Sequence, residues 1–117
     1  MGEFIRGDVV VLPFPFSNLA GSRRRPALVI ASADPHDDVI LCMITSQHTL
    51  DAHATPLASS DFAEGGLPQE SNIRPNRLFT AETSIIVRRA GRLKPEKLDE
   101  VAATIVRIVS GQSSNPA

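Results

Sequence analysis

The sequence has one cysteine, no tryptophan and no tyrosine. A single thiol, Cys42, excludes any disulfide within the chain, and with it the stapled scaffolds of small secreted domains. Cys42 sits in the apolar run Val39-Ile40-Leu41-Cys42-Met43-Ile44. Free cysteine behaves as a small hydrophobe in such surroundings, so a core position is expected, and no basic neighbour in sequence would activate it as a nucleophile. Long apolar runs are missing too. Nothing approaches the ~20 residues needed to span a bilayer. The first residues, Met1-Gly2-Glu3-Phe4-Ile5-Arg6, turn polar at once, without the apolar stretch of a secretory signal. A cytoplasmic chain with no membrane partner is expected. Charge of one sign is not in excess: 12 Lys and Arg against 13 Asp and Glu leave a formal net charge of −1. This excludes nucleic-acid binding by bulk charge, but not by a local patch.

The usual carriers of enzyme chemistry are also scarce. His36, His48 and His53 are the only histidines, and none has a partner at helical i, i+4 spacing. No glycine-rich loop links a strand to a helix, and no Gly-x-Ser-x-Gly elbow is present. No metal and no cofactor are expected.

What is present fits one folded domain. The chain has 117 residues, 42% hydrophobic and 21% charged. That is enough to build a core without staples, over residues 1–111, with a flexible tail at 112–117. Gly7-Asp8 reads as a turn into a strand, Val9-Val10-Val11-Leu12, which the prolines at 13 and 15 close. Residues 17–25 are polar and basic without periodicity, hence a loop. Pro26 opens a second strand over 26–31. Residues 39–45 form a third, apolar enough to be central and covered on both faces. Residues 46–70 are turn-rich, with a short strand around 54–57. Residues 71–80 are extended, and the β-branched run 83–87 predicts a further strand. Pro95, Glu96 and the spacing of Leu98, Val101, Ala102, Ile105, Ile108 and Val109 predict a closing helix with one apolar face, capped by Gly111. The expected fold is mainly β: a small, strongly bent sheet or partly open barrel with a C-terminal helix packed on it.

The chemistry then falls to arginine, threonine and serine at strand ends. Seven of the 12 basic residues gather as Arg23-Arg24-Arg25, Arg74 with Arg77, and Arg88-Arg89. Each cluster either gives the surface solubility or presents planar forks of donors to phosphate oxygens. RNA suits such an inventory because it carries its own nucleophile, the 2′-OH. The protein must position the chain, neutralise charge building on the phosphate and assist proton transfer. Arg25 abuts Pro26 and the second strand; Thr45 ends the third. If those strands are antiparallel neighbours, the two residues meet.

The order Gly7-Asp8-Val9-Val10-Val11, Gly21-Ser22, Arg25-Pro26-Ala27-Leu28-Val29-Ile30, Ile44-Thr45-Ser46-Gln47, Ser71-Asn72-Ile73, Ser84-Ile85-Ile86-Val87-Arg88-Arg89 and Gly91-Arg92-Leu93 resembles the MazF/PemK family of type II toxins, mRNA interferases, over about residues 5–111. Each motif is weak alone; their order and spacing are specific. The resemblance implies an SH3-like (CcdB/PemK-type) barrel, a homodimer, sequence-selective cleavage of single-stranded RNA, and a cognate antitoxin whose extended segment blocks the RNA groove. It implies Arg25 and Thr45 as catalytic residues. It implies RNA contacts at Gly21, Ser22, Arg23, Arg24, Ser46, Gln47, His48, Arg74 and Arg77. Three departures bear on specificity. Arg23 follows Gly-Ser where the family often has an acid or amide, the first loop is short, and Asn76 stands where some relatives use an aspartate. Two alternatives stay open: a gyrase-binding toxin of the related CcdB type, which the Arg25 and Thr45 matches argue against, and a binding module of the same fold without activity. Arg74 and Arg77 also have the alternative of pairing with Glu70 and Glu82, and Phe14, Phe16, Phe62 and Phe79 that of stacking on bases rather than filling the core.

Overall fold

The computed structural model describes residues 4–14, 23–33, 37–47 and 51–111. Seven strands and one helix follow one another: β1 (Asp8–Phe14), β2 (Arg23–Ala33), β3 (Asp38–Thr45), β4 (Thr55–Leu57), β5 (Phe62–Gly65), β6 (Ser71–Glu82), β7 (Arg88–Leu93) and α1 (Pro95–Val109). All the strand pairs are antiparallel, in one sheet of order β4-β6-β3-β2-β1-β7-β5. The sheet curls into a half-barrel until residues of both edge strands, Leu57 of β4 and Phe62 of β5, enter one core with Leu98 and Val101 of α1. The mainly β fold with one C-terminal helix is therefore as the sequence implies.

Strand alternation splits the apolar residues into two cores. Val9, Leu28, Cys42, Ile44 and Ile73 face the helix, while Val10, Leu12, Phe14, Ala27, Val29, Val39 and Leu41 pack on the other side. β3 contributes to both, which is why its sequence reads as almost continuously apolar. Cys42 is fully buried, its Sγ donates to the Arg74 carbonyl at 3.0 Å, and burial pushes the thiol up to about 12. It is a core residue and no nucleophile. Phe14 and Phe62 are buried, and Phe14 meets Phe79 edge-on at 5.1 Å. Phe16 lies outside the described residues.

The strand limits differ from expectation in three places. β1 runs through Pro13 to Phe14, and β2 starts at Arg23, so the arginine triplet is strand rather than loop. The prolines are tolerated because each sits where its strand has a single neighbour. The β1–β7 pairing ends at Val11, before Pro13, and the β2–β3 pairing starts at Ala27, after Pro26. The run 83–87 is not a strand: a 3-10 turn occupies Thr83–Ile85, and the strand is the less apolar Arg88–Leu93 that follows. Tertiary pairing overrides propensity here. Arg92 lies directly across from the buried Asp8, with Nε donating to Oδ1 at 2.9 Å, while Arg89 and Glu64 extend the network. Asp8 also accepts the Ile5 N–H at 2.9 Å, closing the turn at Gly7, whose φ of 102° favours glycine.

α1 begins at Pro95 and ends as expected, with Gly111 at φ 79° just beyond it. Its buried stripe is Leu98, Val101 and Thr104, with Ile105 packed alongside. Val109, expected on that face, is 72% exposed. Thr104 takes a core position because its hydroxyl donates to the Glu100 carbonyl at 3.1 Å and accepts from Arg107 at 3.0 Å, leaving no bare polar atom. No helix among the described residues is long and apolar enough to cross a membrane.

Candidate nucleic-acid interface

The β2–β3 register sets Ala27 against Met43. Arg25 and Thr45 each lie two residues beyond that pair, towards the ends of their strands. Leu12 of β1 stands opposite Arg25, and Asn72 of β6 stands opposite Thr45. A neighbouring row holds Arg88, Val11 and Pro26. Arg25, Thr45 and the members of this row line one groove of about 490 Å³. Consecutive residues line it, Arg23 to Pro26 and Ile44 to Ser46, so it takes side chains from both faces of these strand ends.

Four arginines line this groove: Arg23, Arg24, Arg25 and Arg88. Its polar lining is completed by Thr45, Ser46, Gln69 and Ser71, and its apolar walls include Val11, Ile44 and Leu67. No carboxylate is among the described residues that line it. Guanidinium groups stay charged, so the groove is a concentrated cationic site on a chain whose overall charge is nearly balanced. Arg25 is half-buried while Arg23 and Arg24 are exposed, so Arg25 is the more rigidly placed of the three. Thr45, also half-buried, accepts the Gln47 backbone N–H on Oγ1 at 3.1 Å. With that lone pair occupied, the hydroxyl proton is directed elsewhere, available to an anionic oxygen in the groove.

The structure thus brings together Arg23, Arg24, Arg25, Thr45 and Ser46. Gln47 does not line the groove; its amide serves Thr45. Arg74 does not line it either. Its Nε and Nη2 donate to Asp51 Oδ2 at 3.3 and 3.2 Å, in place of the expected Glu70 or Glu82. Arg77 is exposed on a bulge of β6. Gly21, Ser22, His48 and the tail 112–117 lie outside the described residues. Sequence reasoning missed Arg88, Gln69 and Ser71. Arg88 stood in a visible basic cluster, but only the β1–β7 pairing carries it to the groove. Gln69 carried no signal, and Ser71 stood in the Ser71-Asn72-Ile73 motif without a site role. Among the described residues, no group of three or more His, Cys, Asp and Glu side chains is arranged to hold a metal ion.

Comparison with known proteins agrees with this architecture. The family profile described as PemK-like, MazF-like toxin of type II toxin-antitoxin system matches residues 5–109. No curated protein sequence gives a significant match. Several solved structures share the fold. An endoribonuclease in complex with its cognate antitoxin from Mycobacterial species is 13% identical, with a TM-score of 0.71, covering 96% of this chain and 99% of that one. MazE-MazF from Deinococcus radiodurans is 21% identical with a TM-score of 0.70, over 94% and 98% of the two chains. MazF alone from the same organism is 19% identical with a TM-score of 0.71, over 92% and 96%. At these identities the likeness concerns the fold.

Proposed function

The chain belongs to the PemK-like, MazF-like toxins of type II toxin-antitoxin systems, and from that premise we propose that it is an endoribonuclease acting on single-stranded RNA. The observation that carries this reading is the groove itself: four arginines and no acid among the described residues that line it, with Arg25 and Thr45 both on its lining. A phosphodiester lying there would be held by Arg23, Arg24 and Arg88. Arg25, the least mobile of the charges, would face the phosphate that reacts.

In the proposed reaction the substrate's 2′-OH attacks the adjacent phosphorus. The P–O bond to the next 5′ oxygen breaks, and the products are a 2′,3′-cyclic phosphate and a 5′-OH. The 2′ proton is released and the departing 5′ oxygen gains one. Arg25 offsets the charge accumulating on the non-bridging oxygens, and the Thr45 hydroxyl donates to one of them. Guanidinium groups supply this neutralisation directly, so cleavage is expected to persist in chelator.

Arg25→Ala is expected to lower cleavage roughly 100-fold or more while the fold is retained. End-mapping of RNA fragments from purified protein in excess chelator measures both points. Wild-type rates in the Arg25→Ala protein, or fragments lacking cyclic phosphate ends, would overturn the reading. An antitoxin with an extended acidic segment, seated along the same arginines, is the expected inhibitor, and a homodimer the expected active form.

A further inference from the structure

Asp51 is hydrogen-bonded to Arg74 on the stretch of β6 that pairs with the end of β3. Its side chain is 8% exposed, and its carboxylate gathers several donors. Oδ1 accepts the His53 N–H at 2.9 Å, and Oδ2 accepts Nε and Nη2 of Arg74 at 3.3 and 3.2 Å. The Ala54 N–H donates to the Asp51 carbonyl at 3.1 Å, so the backbone turns tightly at this point. Arg74 and Asn76 belong to an irregular part of β6. Cys42 pairs with Leu78 but the next residue, Met43, pairs with Arg74, so Pro75, Asn76 and Arg77 form a bulge, with Pro75 buried and Asn76 and Arg77 exposed. The bulge is pinned from below, where the Arg74 carbonyl accepts the Cys42 thiol at 3.0 Å.

Bulges bend a strand and re-aim its side chains. This one lies beside Met43, two residues before Thr45. Thr45 pairs with Asn72, two residues before Arg74, so the carboxylate of Asp51 clasped on Arg74 steadies the stretch of β6 on which the end of β3 rests. Beside Thr45 stand Ser46, which lines the groove, and Gln47, whose amide orients Thr45 Oγ1. Arg74, with two of its donor nitrogens on Asp51, is part of the clasp rather than a cation offered to phosphate.

We propose that Asp51 is a positioning residue: through Arg74 it fixes where Thr45, Ser46 and Gln47 stand against Arg25, and so sets turnover rather than RNA affinity. This rests on the ribonuclease reading above. Misplacement of a reacting group by about 1 Å is enough to lower a rate by orders of magnitude without touching ground-state binding.

The test is single-turnover and steady-state cleavage of a defined RNA by Asp51→Ala, Arg74→Ala and the double variant Asp51→Ala/Arg74→Ala, with amide hydrogen exchange over residues 45–54. Asp51→Ala is expected to lower kcat about tenfold or more with KM within about threefold of wild type. The double variant is expected to lose no more than the worse single one, because the two residues act as a unit. Exchange should quicken over 45–54. A KM effect alone, additive losses, or unchanged exchange would each overturn the clasp. Should Asp51→Ala not fold, Arg74→Ala opens the clasp from the β6 side and is judged by the same readouts. The two readings separate cleanly. A wild-type chain that cuts no RNA ends the ribonuclease reading, and with it the role in turnover, whereas a cutting wild type with kcat unchanged in Asp51→Ala ends the positioning role alone.

Discussion

Arg88 and Arg25 reach the same groove from opposite sides of β1, and their roles differ for reasons visible at the level of single residues. Arg88 is exposed and faces no fixed reacting partner across the sheet. It should act as a phosphate clamp of the sequence-independent kind. Each such contact contributes about 0.7 to the slope of log affinity against log salt for single strands. Arg88→Ala should therefore weaken binding of every RNA sequence alike and flatten that slope by about this amount. Fluorescence anisotropy with a 2′-deoxy-substituted RNA that cannot be cut, titrated at several salt concentrations, measures it. An unchanged slope would remove Arg88 from the interface. Asp51 is the contrasting case. Burial alone would push its carboxyl up, but the His53 amide, Arg74 and Asn76 together hold it below the ordinary value of 3.8.

At the scale of elements, the groove depends on β7 being drawn close to both β1 and β5. Gly65 and Gly91 stand opposite each other where β5 meets β7. A Cβ on Gly91 would lie 2.5 Å from the Glu64 carbonyl oxygen and 2.9 Å from the Gly66 nitrogen, both backbone atoms that cannot swing aside. Gly91→Ala is expected to cost about 1–3 kcal/mol, as overpacking does. Gly66 is the control, because a Cβ added there would meet nothing within 4 Å and its φ is not positive. Gly66→Ala should stay within about 0.5 kcal/mol of wild type. Urea midpoints at constant m-value decide between them. Equal stability of the two variants would show that the β5–β7 contact is not held at the close distance described. The Asp8–Arg92 pair works at the same scale, locking β1 to β7 beside these glycines, and raises the already high pKa of Arg92 through its hydrogen bond to the carboxylate.

For the molecule as a whole, near-neutrality conceals separation of charge. The net charge is −1, yet the groove collects four arginines, while acids such as Asp8, Asp51 and Glu64 are spent on holding other arginines in the frame. That use of acids makes global stability sensitive to acid. Asp51 has its pKa depressed on folding, so its contribution is fully present above the unfolded value, about 3.9, and is lost as pH falls from there through the lower folded value. Wild-type protein should lose stability more steeply between about pH 5 and pH 3 than Asp51→Asn does. Chemical denaturation across that window checks the sign, and parallel curves for the two proteins would contradict it.

Elements with local signals were specified by the amino-acid order alone. The helix from Pro95 is marked by its spacing and its terminal residues, the central strand β3 by its apolar run, the turn at Gly7 by glycine before aspartate, and the buried thiol by its neighbours. The order of short motifs also carried the family, because spacing along a chain survives without contacts. Tertiary structure settled the rest. It moved the strand expected at 83–87 to Arg88–Leu93, since pairing with β1 and β5 outweighs β-branched composition. It turned an expected loop of arginines into the first residues of β2, because β1 continues past Pro13 to receive them. It brought Arg25, Thr45 and Arg88 to one groove, while assigning Arg74 to Asp51. Register and bulges are properties of paired strands: a three-residue surplus in β6 has no meaning until β3 lies alongside it, and only then does a basic residue become either a groove charge or a strut.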